Sequence, residues 1–255
     1  MSTVSIELRG RIAVVTIERP ERRNAVDAET AQALYDAFKA FDTDDGMDVA
    51  ILQGRGEAFC AGADLKGFAE GRGNPVRPDG DLGPMGCTRL MLSKPVIAAI
   101  EGHAVAGGLE VAAWCDLRVA AEDAVLGVFC RRFGVPLIDL GTVRLPRLIG
   151  HSRAMDLILT GRPVGGREAF EIGLVNRLAP KGQALEVALE LARQIAAFPQ
   201  TCMRNDRASA IAQWSMDWEG ATRFELERGQ DSLRSGDARA GAARFASGAG
   251  RHGAF

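Results

Sequence analysis

The first stretch whose residue types could do chemistry is EAFCAGADLKGF, at residues 57–68. It follows a short apolar run and consists largely of small residues as far as the pair Ala63-Asp64. Small residues leave backbone N–H groups open to close approach. The loop is therefore either an ordinary turn or a place where those groups meet a ligand. This stretch alone leaves both alternatives open.

A second stretch, KPVIAAIEGHAVAGGLEVAAWCD at residues 94–116, places an apolar strand before a Gly-Gly pair and a helix. The pattern predicts that the helix starts at Gly107, where the first N–H groups lack intrahelical partners and the helix dipole favours negative charge. Glu110 falls in the first turn of this otherwise apolar helix. Glycine pairs also serve close helix packing. A glutamate near a helix start is commonly an exposed residue that complements the helix dipole, and this is the interpretation that we favour for Glu110 when it is considered alone.

Composition and charge are those of an ordinary globular protein. The chain has 255 residues, of which 47% are hydrophobic and 25% are charged, enough for one substantial core. Its 31 basic and 33 acidic residues nearly balance, which excludes a general attraction to nucleic acid or to an anionic membrane.

Cysteine usage and the first residues bear on the cellular location. The five cysteines, Cys60, Cys87, Cys115, Cys130 and Cys202, show no CxxC spacing, so we expect reduced thiols rather than disulfides or a metal site. No signal-like segment starts the sequence and no apolar run reaches the length of a bilayer. We therefore expect a cytoplasmic protein without membrane contact.

Alternating strand and helix patterns must position the two stretches. Residues 4–17 predict a hairpin that turns at Gly10, residues 27–41 a helix, and residues 49–52, 95–100 and 116–120 short buried strands. This order favours an α/β core with short parallel strands. Residues 70–84, rich in Gly, Pro and charge, predict a surface loop over a pocket.

The last third of the chain is predicted to be mainly helical. Helical patterns cover residues 152–160, with Ser152 as the N-cap, and residues 166–172, 184–197 and 206–234. The glycine-rich end at residues 246–255 is expected to be a loose tail.

The two chemical stretches together carry a family resemblance. FCAGADL followed by KPVIAAIEGHAVAGGLEVAAWCDLRVA resembles the crotonase (enoyl-CoA hydratase/isomerase) family, and the likeness runs from ERRNAV at residues 21–26 to GAARF near the end. Either motif alone would be weak evidence, but the pair is specific. The resemblance implies an α/β crotonase fold, with a repeated ββα spiral core at residues 1–195 and a helical C-terminal trimerisation region at residues 196–255.

The resemblance also implies a backbone oxyanion hole. In the family, the N–H groups at the positions of Ala63 and Gly107 bind the thioester carbonyl oxygen of an acyl-CoA. Removing a proton at Cα or adding a group at Cβ places negative charge on that oxygen, and each preorganised donor stabilises it by about 3 kcal/mol. Bulky side chains in either turn would block this approach, so the small residues fit the implied role.

Coenzyme A contacts are carried over by position in the same way. Ala61, Asp64 and Leu65 match the family's stretch that meets the adenine and pantetheine, and Arg23 lies in a segment that lines the same pocket. Lys66 either reaches a phosphate or is solvated surface. The resemblance implies no cofactor beyond the CoA moiety of the substrate.

The family's hydratases use two glutamates, and this chain keeps only the first. The two carboxylates hold one water, add its hydroxyl at Cβ and deliver a proton to Cα, and the first of them matches Glu110. At the position of the second, counted back without gaps from Gly134 and Arg144, this sequence has Cys130. A thiol is a weak partner for water, which puts two-glutamate hydration in doubt. Cys130 is either a nucleophile or, as we favour, a buried apolar residue of an altered pocket.

Asp139 is the candidate for the missing second group. Several branches of the family carry a catalytic aspartate in this loop, one position earlier, where this sequence has Ile138. The alternative is that Asp139 caps the helix expected to begin near Gly141. Both alternatives stay open, because a shift of one residue in a turn redirects a side chain.

Arg131, Arg132, Arg144 and Arg147 form a local basic cluster. These arginines either pair with Asp139 or Glu110, bind a carboxylate on the acyl chain, or lie at the solvent or at a subunit contact. We favour the last alternative.

The resemblance thus implies an acyl-CoA enzyme of fatty acid metabolism, a lyase of the enoyl-CoA hydratase type, assembled as a homotrimer or a dimer of trimers. A thioester enolate is stabilised at Ala63 and Gly107, with Glu110 as acid or base and Asp139 as the candidate second group. The alternatives are an enoyl-CoA isomerase or another enolate reaction, and an acyl-CoA binder without turnover. No nucleic acid partner is expected.

Overall fold

A computed structural model describes residues 2–250 and arranges their strands in two sheets. The strands are β1 Val4–Arg9, β2 Ile12–Ile17, β3 Val49–Gly54, β4 Val96–Ile100, β5 His103–Val105, β6 Leu117–Ala121, β7 Val125–Gly127, β8 Val164–Gly165 and β9 Arg177–Ala179. The larger sheet has the order β1-β2-β3-β4-β6-β9, and the smaller has the order β5-β7-β8.

The larger sheet is parallel except at its first strand. β1 and β2 form the predicted antiparallel hairpin, which turns at Gly10 with a φ of +67°. The pairs β2–β3, β3–β4, β4–β6 and β6–β9 are all parallel. β2 and β4 are buried along their whole length, as is typical of parallel strands covered on both faces. The predicted α/β core with short parallel strands is confirmed.

Helices connect and cover these strands. They are α1 Ala28–Thr43, α2 Leu65–Ala69, α3 Gly107–Trp114, α4 Gly141–Ile149, α5 His151–Thr160, α6 Gly166–Glu171, α7 Ala184–Ala196, α8 Gln200–Ala212, α9 Trp218–Arg234 and α10 Asp237–Ala246. α1 begins after Asp27, whose carboxylate accepts a hydrogen bond from the Thr30 N–H at 2.9 Å. α3 begins at Gly107, as predicted.

The parallel pairing of β3 and β4 determines where the two chemical stretches lie. Their paired residues end with Gln53 beside Ala99, so both strands end at the same edge of the sheet. The small-residue loop leaves the larger sheet after β3. The chain leaves the same edge after β4 and reaches the Gly-Gly turn through β5 of the smaller sheet. The fold therefore brings together two segments that are about forty residues apart in the chain.

Two helix boundaries differ from the predictions. α5 begins at His151, and its N-cap is Gly150 at a φ of 80°, so Ser152 does not cap it. Gly150 also ends α4, which leaves no residues for a separate cap between the two helices. The single helix predicted at residues 206–234 is instead α8 and α9. They are separate because the Asp217 carboxylate accepts a hydrogen bond from the Gly220 N–H at 2.7 Å and starts a new helix.

The described residues form two compact units, one that ends at Gln194 and one that begins at Ile195. The second unit is helical, and in the predicted tail the described residues after Ala246 are turns. Residues 251–255 of that tail lie outside the described part. Within residues 2–250, no helix is long and apolar enough to cross a bilayer, and no cluster of three or more His, Cys, Asp or Glu side chains is placed to hold a metal ion.

Candidate active site

The two small-residue turns touch each other through their backbones. A Cβ atom on Gly62 would lie 2.9 Å from the Gly107 nitrogen, and one on Gly108 would lie 2.1 Å from the Cys60 carbonyl oxygen. Both distances are too short for a side chain. The glycines in these turns are therefore required by the close approach of two backbones.

Ala63 and Gly107 each present a backbone N–H without a partner. Ala63 lies opposite Val26 in an isolated parallel β-bridge. The two hydrogen bonds of this bridge run from the Val26 N–H to the Gly62 carbonyl and from the Asp64 N–H to the Val26 carbonyl, so they do not use the Ala63 N–H. Gly107 is the first residue of α3, where an N–H has no intrahelical acceptor. Among residues 2–250, neither group donates a hydrogen bond.

The residue before Gly107 has an unusual backbone conformation. Ala106 adopts φ 54° and ψ −127°, a combination that costs a non-glycine residue free energy. Its ψ angle orients the following peptide group and hence the Gly107 N–H. Such strain is typical of functional sites, where the surrounding structure enforces it.

Glu110 lies in the first turn of α3 and is only 3% exposed. Its Oε1 accepts two hydrogen bonds from backbone N–H groups, that of Asp139 at 3.0 Å and that of Gly141 at 2.8 Å. Leu140, between them, has a left-handed φ of 68° that turns both N–H groups toward one oxygen. Oε2 makes no hydrogen bond to any described residue. Glu110 is therefore not the exposed residue that its place near a helix start would suggest by itself, because it is buried and held by residues from another part of the chain.

The surroundings of Glu110 raise its pKa from the ordinary value of 4.5 to about 7. Burial is the main cause, and the negative charge of Asp139 is the second. The two N–H donors and Arg144 oppose the increase but do not cancel it. A carboxyl with this pKa can both release and accept a proton near neutral pH.

Asp139 is also buried, at 3% exposure, and is held by a different set of donors. Its Oδ1 accepts a hydrogen bond from the Met85 N–H at 3.0 Å and a short one from the Thr88 hydroxyl. Oδ2 has no partner among residues 2–250. Burial raises the pKa of Asp139, while the hydrogen bonds from Thr88 and Met85 oppose that increase.

The helix-capping alternative for Asp139 is wrong. α4 begins after Leu140, and no side chain of its own segment caps it. The Gly141 N–H that a cap would satisfy is taken by Glu110. The Asp139 carboxylate therefore faces the centre of the site rather than the end of the helix.

A cavity of about 500 Å³ joins these groups. It is lined by Ala63, Gly107, Glu110, Cys130 and Asp139 together with a largely apolar wall that includes Phe68, Val76, Met85, Phe129, Phe133, Val135, Pro136 and Ile138. Cys130 is buried, and both burial and the nearby Glu110 raise the pKa of its thiol. A neutral thiol at this position is a weak hydrogen-bonding group rather than a nucleophile.

Three of the five residues matched to coenzyme A line the same cavity: Ala61, Asp64 and Leu65. Asp64 also caps α2 through the Gly67 N–H and pairs with Arg19 at 3.1 Å, so its carboxylate is already engaged. Lys66 and Arg23, the other two, do not line this cavity.

Lys66 is exposed and lines a second cavity of about 280 Å³ that shares Asp64 with the first. Arg23 is exposed and lines neither cavity, although its carbonyl accepts a hydrogen bond from the Ala61 N–H at 3.0 Å. Arg23 therefore supports the small-residue loop through its backbone.

The loop at residues 70–84 covers part of the cavity, as predicted, through Asn74, Val76 and Pro84. Several contacts join this loop to the rest of the protein, and two of them come from its Asn74 and Asp81 side chains. The Asn74 amide donates to the Val26 carbonyl at 3.1 Å, and the Tyr35 hydroxyl donates to Asp81 at 2.9 Å.

Of the alternatives for the arginine cluster, pairing with the side chains of Glu110 or Asp139 is wrong for Arg131, Arg132 and Arg144, and Arg131 and Arg132 are exposed, as the favoured alternative predicts. Arg131 donates to the Ile158 carbonyl at 3.0 Å and Arg132 donates to the Gly161 carbonyl at 2.9 Å. Arg144 donates to the carbonyl groups of Asp139 at 3.0 Å and Thr88 at 2.8 Å. Within the described residues none of the three forms an ion pair, and none lines the 500 Å³ cavity.

Sequence reasoning missed Met85, Thr88 and Gly141. Met85 and Thr88 follow the loop at residues 70–84 and match no motif, and their partner Asp139 lies more than fifty residues further along the chain. The need for glycine at position 141 is visible only in the structure. A Cβ at this position would lie 2.7 Å from the Glu110 Oε1.

Comparisons with known proteins agree with this architecture. Residues 7–248 match the family model described as enoyl-CoA hydratase/isomerase. An enoyl-CoA hydratase of Mycobacterium tuberculosis is 36% identical over 245 residues, which are 94% of this chain and 92% of that protein. A carnitinyl-CoA dehydratase of Salmonella typhi is 37% identical over 232 residues, 89% of this chain and 84% of that protein. The crystal structure of an enoyl-CoA hydratase from Mycobacterium marinum superposes with a TM-score of 0.91 at 37% identity and covers 97% of this chain and 96% of that one.

Proposed function

This chain belongs to the enoyl-CoA hydratase/isomerase family, and from that membership and its site we propose that it interconverts a 2-enoyl-CoA and a 3-hydroxyacyl-CoA. It is an acyl-CoA enzyme of the hydratase type. The observation that carries the reaction is the pair of buried carboxylates, Glu110 and Asp139, which line one cavity and each keep one oxygen without a hydrogen bond to any described residue.

The thioester carbonyl binds between the N–H groups of Ala63 and Gly107. This assignment is supported by the contact between their turns and by the finding that neither N–H donates a hydrogen bond within residues 2–250. Negative charge that develops on the carbonyl oxygen is then stabilised by two donors already in place, each worth about 3 kcal/mol. The strained Ala106 keeps the Gly107 N–H pointed at that oxygen before substrate arrives.

Glu110 and Asp139 divide the proton transfers. Asp139, whose ionised form is favoured by the donors Met85 and Thr88, takes a proton from water as the hydroxyl adds to Cβ. Glu110, whose pKa is raised to about 7, supplies a proton to Cα. The water contributes one hydroxyl and one proton, so the proton left on Asp139 restores Glu110 at the end of the cycle.

Asp139 rather than Cys130 takes the place of the family's second glutamate. Both line the cavity, but the pKa of the thiol is raised above its usual value of 9.0 by burial. A neutral thiol can neither hold an attacking water strongly nor take its proton at neutral pH. Double-bond isomerisation is the second candidate, because it moves a proton between carbons and needs no bound water, although the family's isomerases retain the second glutamate that Cys130 replaces here.

The test follows the conjugated thioester absorbance when the protein meets 2-butenoyl-CoA and longer 2-enoyl-CoA substrates, with products identified by mass. Hydration adds one water. Glu110→Gln should lower kcat by about a hundredfold or more and leave the Kd for acyl-CoA nearly unchanged, because glutamine still accepts the two N–H groups but moves no proton.

Glu190→Gln, at an exposed glutamate of α7, is the matched control and should keep full activity. Equal turnover in wild type and Glu110→Gln would contradict the role given to Glu110. A product of unchanged mass would favour isomerisation, and binding without any product would identify an acyl-CoA binder.

We propose a trimer built through the C-terminal helices, by analogy with the family, and a cytoplasmic role in fatty acid metabolism. The CoA contacts of Ala61, Asp64, Leu65, Lys66 and Arg23 are likewise proposed, with Arg23 acting through its backbone carbonyl. No cofactor beyond the CoA moiety is proposed.

A further inference from the structure

We propose that Thr88 is a positioning residue for the reaction, which orients the Asp139 carboxylate through a hydrogen bond to Oδ1 and so leaves its second oxygen for the substrate. This inference rests on the proposed role of Asp139 as the second acid–base group. Thr88 belongs to a short 3-10 turn at Cys87–Arg89, contributes nothing to the cavity wall, and carries no motif of its own.

The geometry points to one purpose for the Thr88 hydroxyl. Thr88 is fully buried, and its hydroxyl donates a short hydrogen bond to the Asp139 Oδ1. The Met85 N–H donates to the same oxygen at 3.0 Å. Two donors on Oδ1 fix the rotation of the carboxylate. They leave Oδ2 free to take a proton from a bound water, which is the role proposed for Asp139.

The backbone of Thr88 is fixed to the backbone of Asp139 by a single side chain. Arg144 donates to the Thr88 carbonyl at 2.8 Å and to the Asp139 carbonyl at 3.0 Å. Arg144 is itself mostly buried, so its guanidinium ties the two segments together away from solvent. Thr88 and Asp139 are thus held together twice, by the hydrogen bond between their side chains and by the contacts of Arg144 with their backbone carbonyls.

The space around this contact is closed on a third side by Gly83. A Cβ on Gly83 would lie 2.2 Å from the Thr88 hydroxyl oxygen and 3.0 Å from the Asp139 Oδ1. Gly83 has no left-handed φ, so alanine at this position tests space alone. Gly83→Ala therefore offers a second way to separate Thr88 from Asp139 without removing the hydroxyl.

Several ionisable groups act on Asp139 besides Thr88. They are Glu110, whose pKa the charge of Asp139 raises, and Arg89 and Arg144, whose positive charges favour the ionised form of Asp139. The nearby Cys87 thiol, whose pKa is raised by burial, is neutral near neutral pH. All of these remain in a Thr88 variant. A change in the titration of Asp139 on removal of the hydroxyl is therefore due to the lost hydrogen bond, which favours the ionised form.

The experiment compares Thr88→Val, Thr88→Ser, Gly83→Ala and the control Thr43→Val in the full-length protein. Thr43 is an exposed threonine at the end of α1. Two properties are measured: the titration of Asp139 by carbon-13 NMR of labelled aspartate, identified by its absence in Asp139→Asn, and the pH profile of kcat for 2-butenoyl-CoA. The titration is repeated in a Glu110→Gln background to remove the coupling between the two carboxyls.

We expect Thr88→Val and Gly83→Ala to raise the titration midpoint of Asp139 and to move the acidic limb of the kcat profile to higher pH. We expect kcat to fall by about tenfold or more, the value of a hydrogen bond to a charged group, with KM little changed. Thr88→Ser should restore most of both properties, and Thr43→Val should match wild type.

An unchanged Asp139 midpoint in folded Thr88→Val would overturn the inference, as would a loss of kcat that Thr88→Ser does not rescue. Failure of the proposed function has a different signature. If wild type does not hydrate 2-butenoyl-CoA but the Asp139 midpoint still rises in Thr88→Val, the positioning contact stands and the assigned reaction is wrong.

Discussion

At the scale of single residues, the site depends on two carboxyls that are held in different ways. Glu110 receives two backbone N–H groups on one oxygen, whereas Asp139 receives one backbone N–H and a hydroxyl. Both are buried, so each charge raises the free energy of ionising the other. Environments that separate the pKa values of two neighbouring acids are the usual way in which one group serves as acid and the other as base.

The raised pKa of Glu110 predicts a cost in stability at neutral pH. A carboxyl whose pKa rises from 4.5 to about 7 on folding binds more protons in the folded than in the unfolded state between those pH values. The free energy of unfolding contributed by this group therefore falls as pH rises through that range, by on the order of 3 kcal/mol.

Glu110→Gln removes this cost, and its thermal stability is the measurement. We expect the variant to gain in Tm relative to wild type at pH 8 and to gain much less at pH 5, where the wild-type carboxyl is protonated in the folded protein. Glu190→Gln controls for the loss of a surface charge. A Tm difference that does not depend on pH would show that Glu110 does not titrate in this range.

At the scale of elements, the loop at residues 139–141 joins the two carboxyls. It carries the Asp139 side chain, and its N–H groups at Asp139 and Gly141 bind Glu110 on α3. The left-handed Leu140 makes both contacts compatible with the start of α4. This one turn thus carries the base, Asp139, and orients the acid, Glu110. A shift of the loop therefore affects both groups together.

Gly141→Ala tests this coupling. The added Cβ would lie 2.7 Å from the Glu110 Oε1 and 2.8 Å from its Cγ, so the carboxyl must move. Because a displacement of about 1 Å can cost a hundredfold in rate, we expect kcat to fall between about ten- and a hundredfold.

Gly165→Ala is the matched control for Gly141→Ala, because nothing lies within 4 Å of its added Cβ and its φ of −74° suits alanine. Steady-state kinetics and Tm of both variants are compared with wild type. Full activity in a folded Gly141→Ala protein would show that Glu110 need not keep its observed position.

At the scale of the whole molecule, the unit from Ile195 onward exposes large apolar side chains. Trp218 on α9 is 88% exposed, and Leu226, Leu233 and Phe245 are exposed as well. Several large apolar side chains exposed on one small helical unit are typical of a surface that another chain covers. It supports the proposed subunit contact through these helices.

Light scattering after size-exclusion chromatography measures the assembly. We expect a mass three times the 27.2 kDa of the chain, or six times for a dimer of trimers. Leu226→Glu should shift the protein toward smaller species, because it buries a charge in the apolar contact, while Glu227→Gln on the same helix should not. A wild-type mass of 27.2 kDa would contradict the proposal.

Local patterns were sufficient for the elements of the core. The alternation of Val4, Ile6 and Leu8 before the turn at Gly10 predicted the β1–β2 hairpin. The Gly-Gly pair predicted the start of α3 at Gly107. These features depend on residues close together in the chain. The boundaries at Ser152 and within residues 206–234 were missed because helix caps are decided by which of several nearby candidates the packing selects.

The sequence by itself determined the family, through two small-residue motifs, and with it the α/β core and the enoyl-CoA hydratase type of chemistry. Only the tertiary structure decided how Glu110 and Asp139 are held. Their partners lie 29 to 54 residues away in the chain. The physical reason is that hydrogen bonds and pKa shifts depend on distance and burial, which no local pattern encodes. The same holds for Thr88, which enters the site only because folding places its hydroxyl against Asp139.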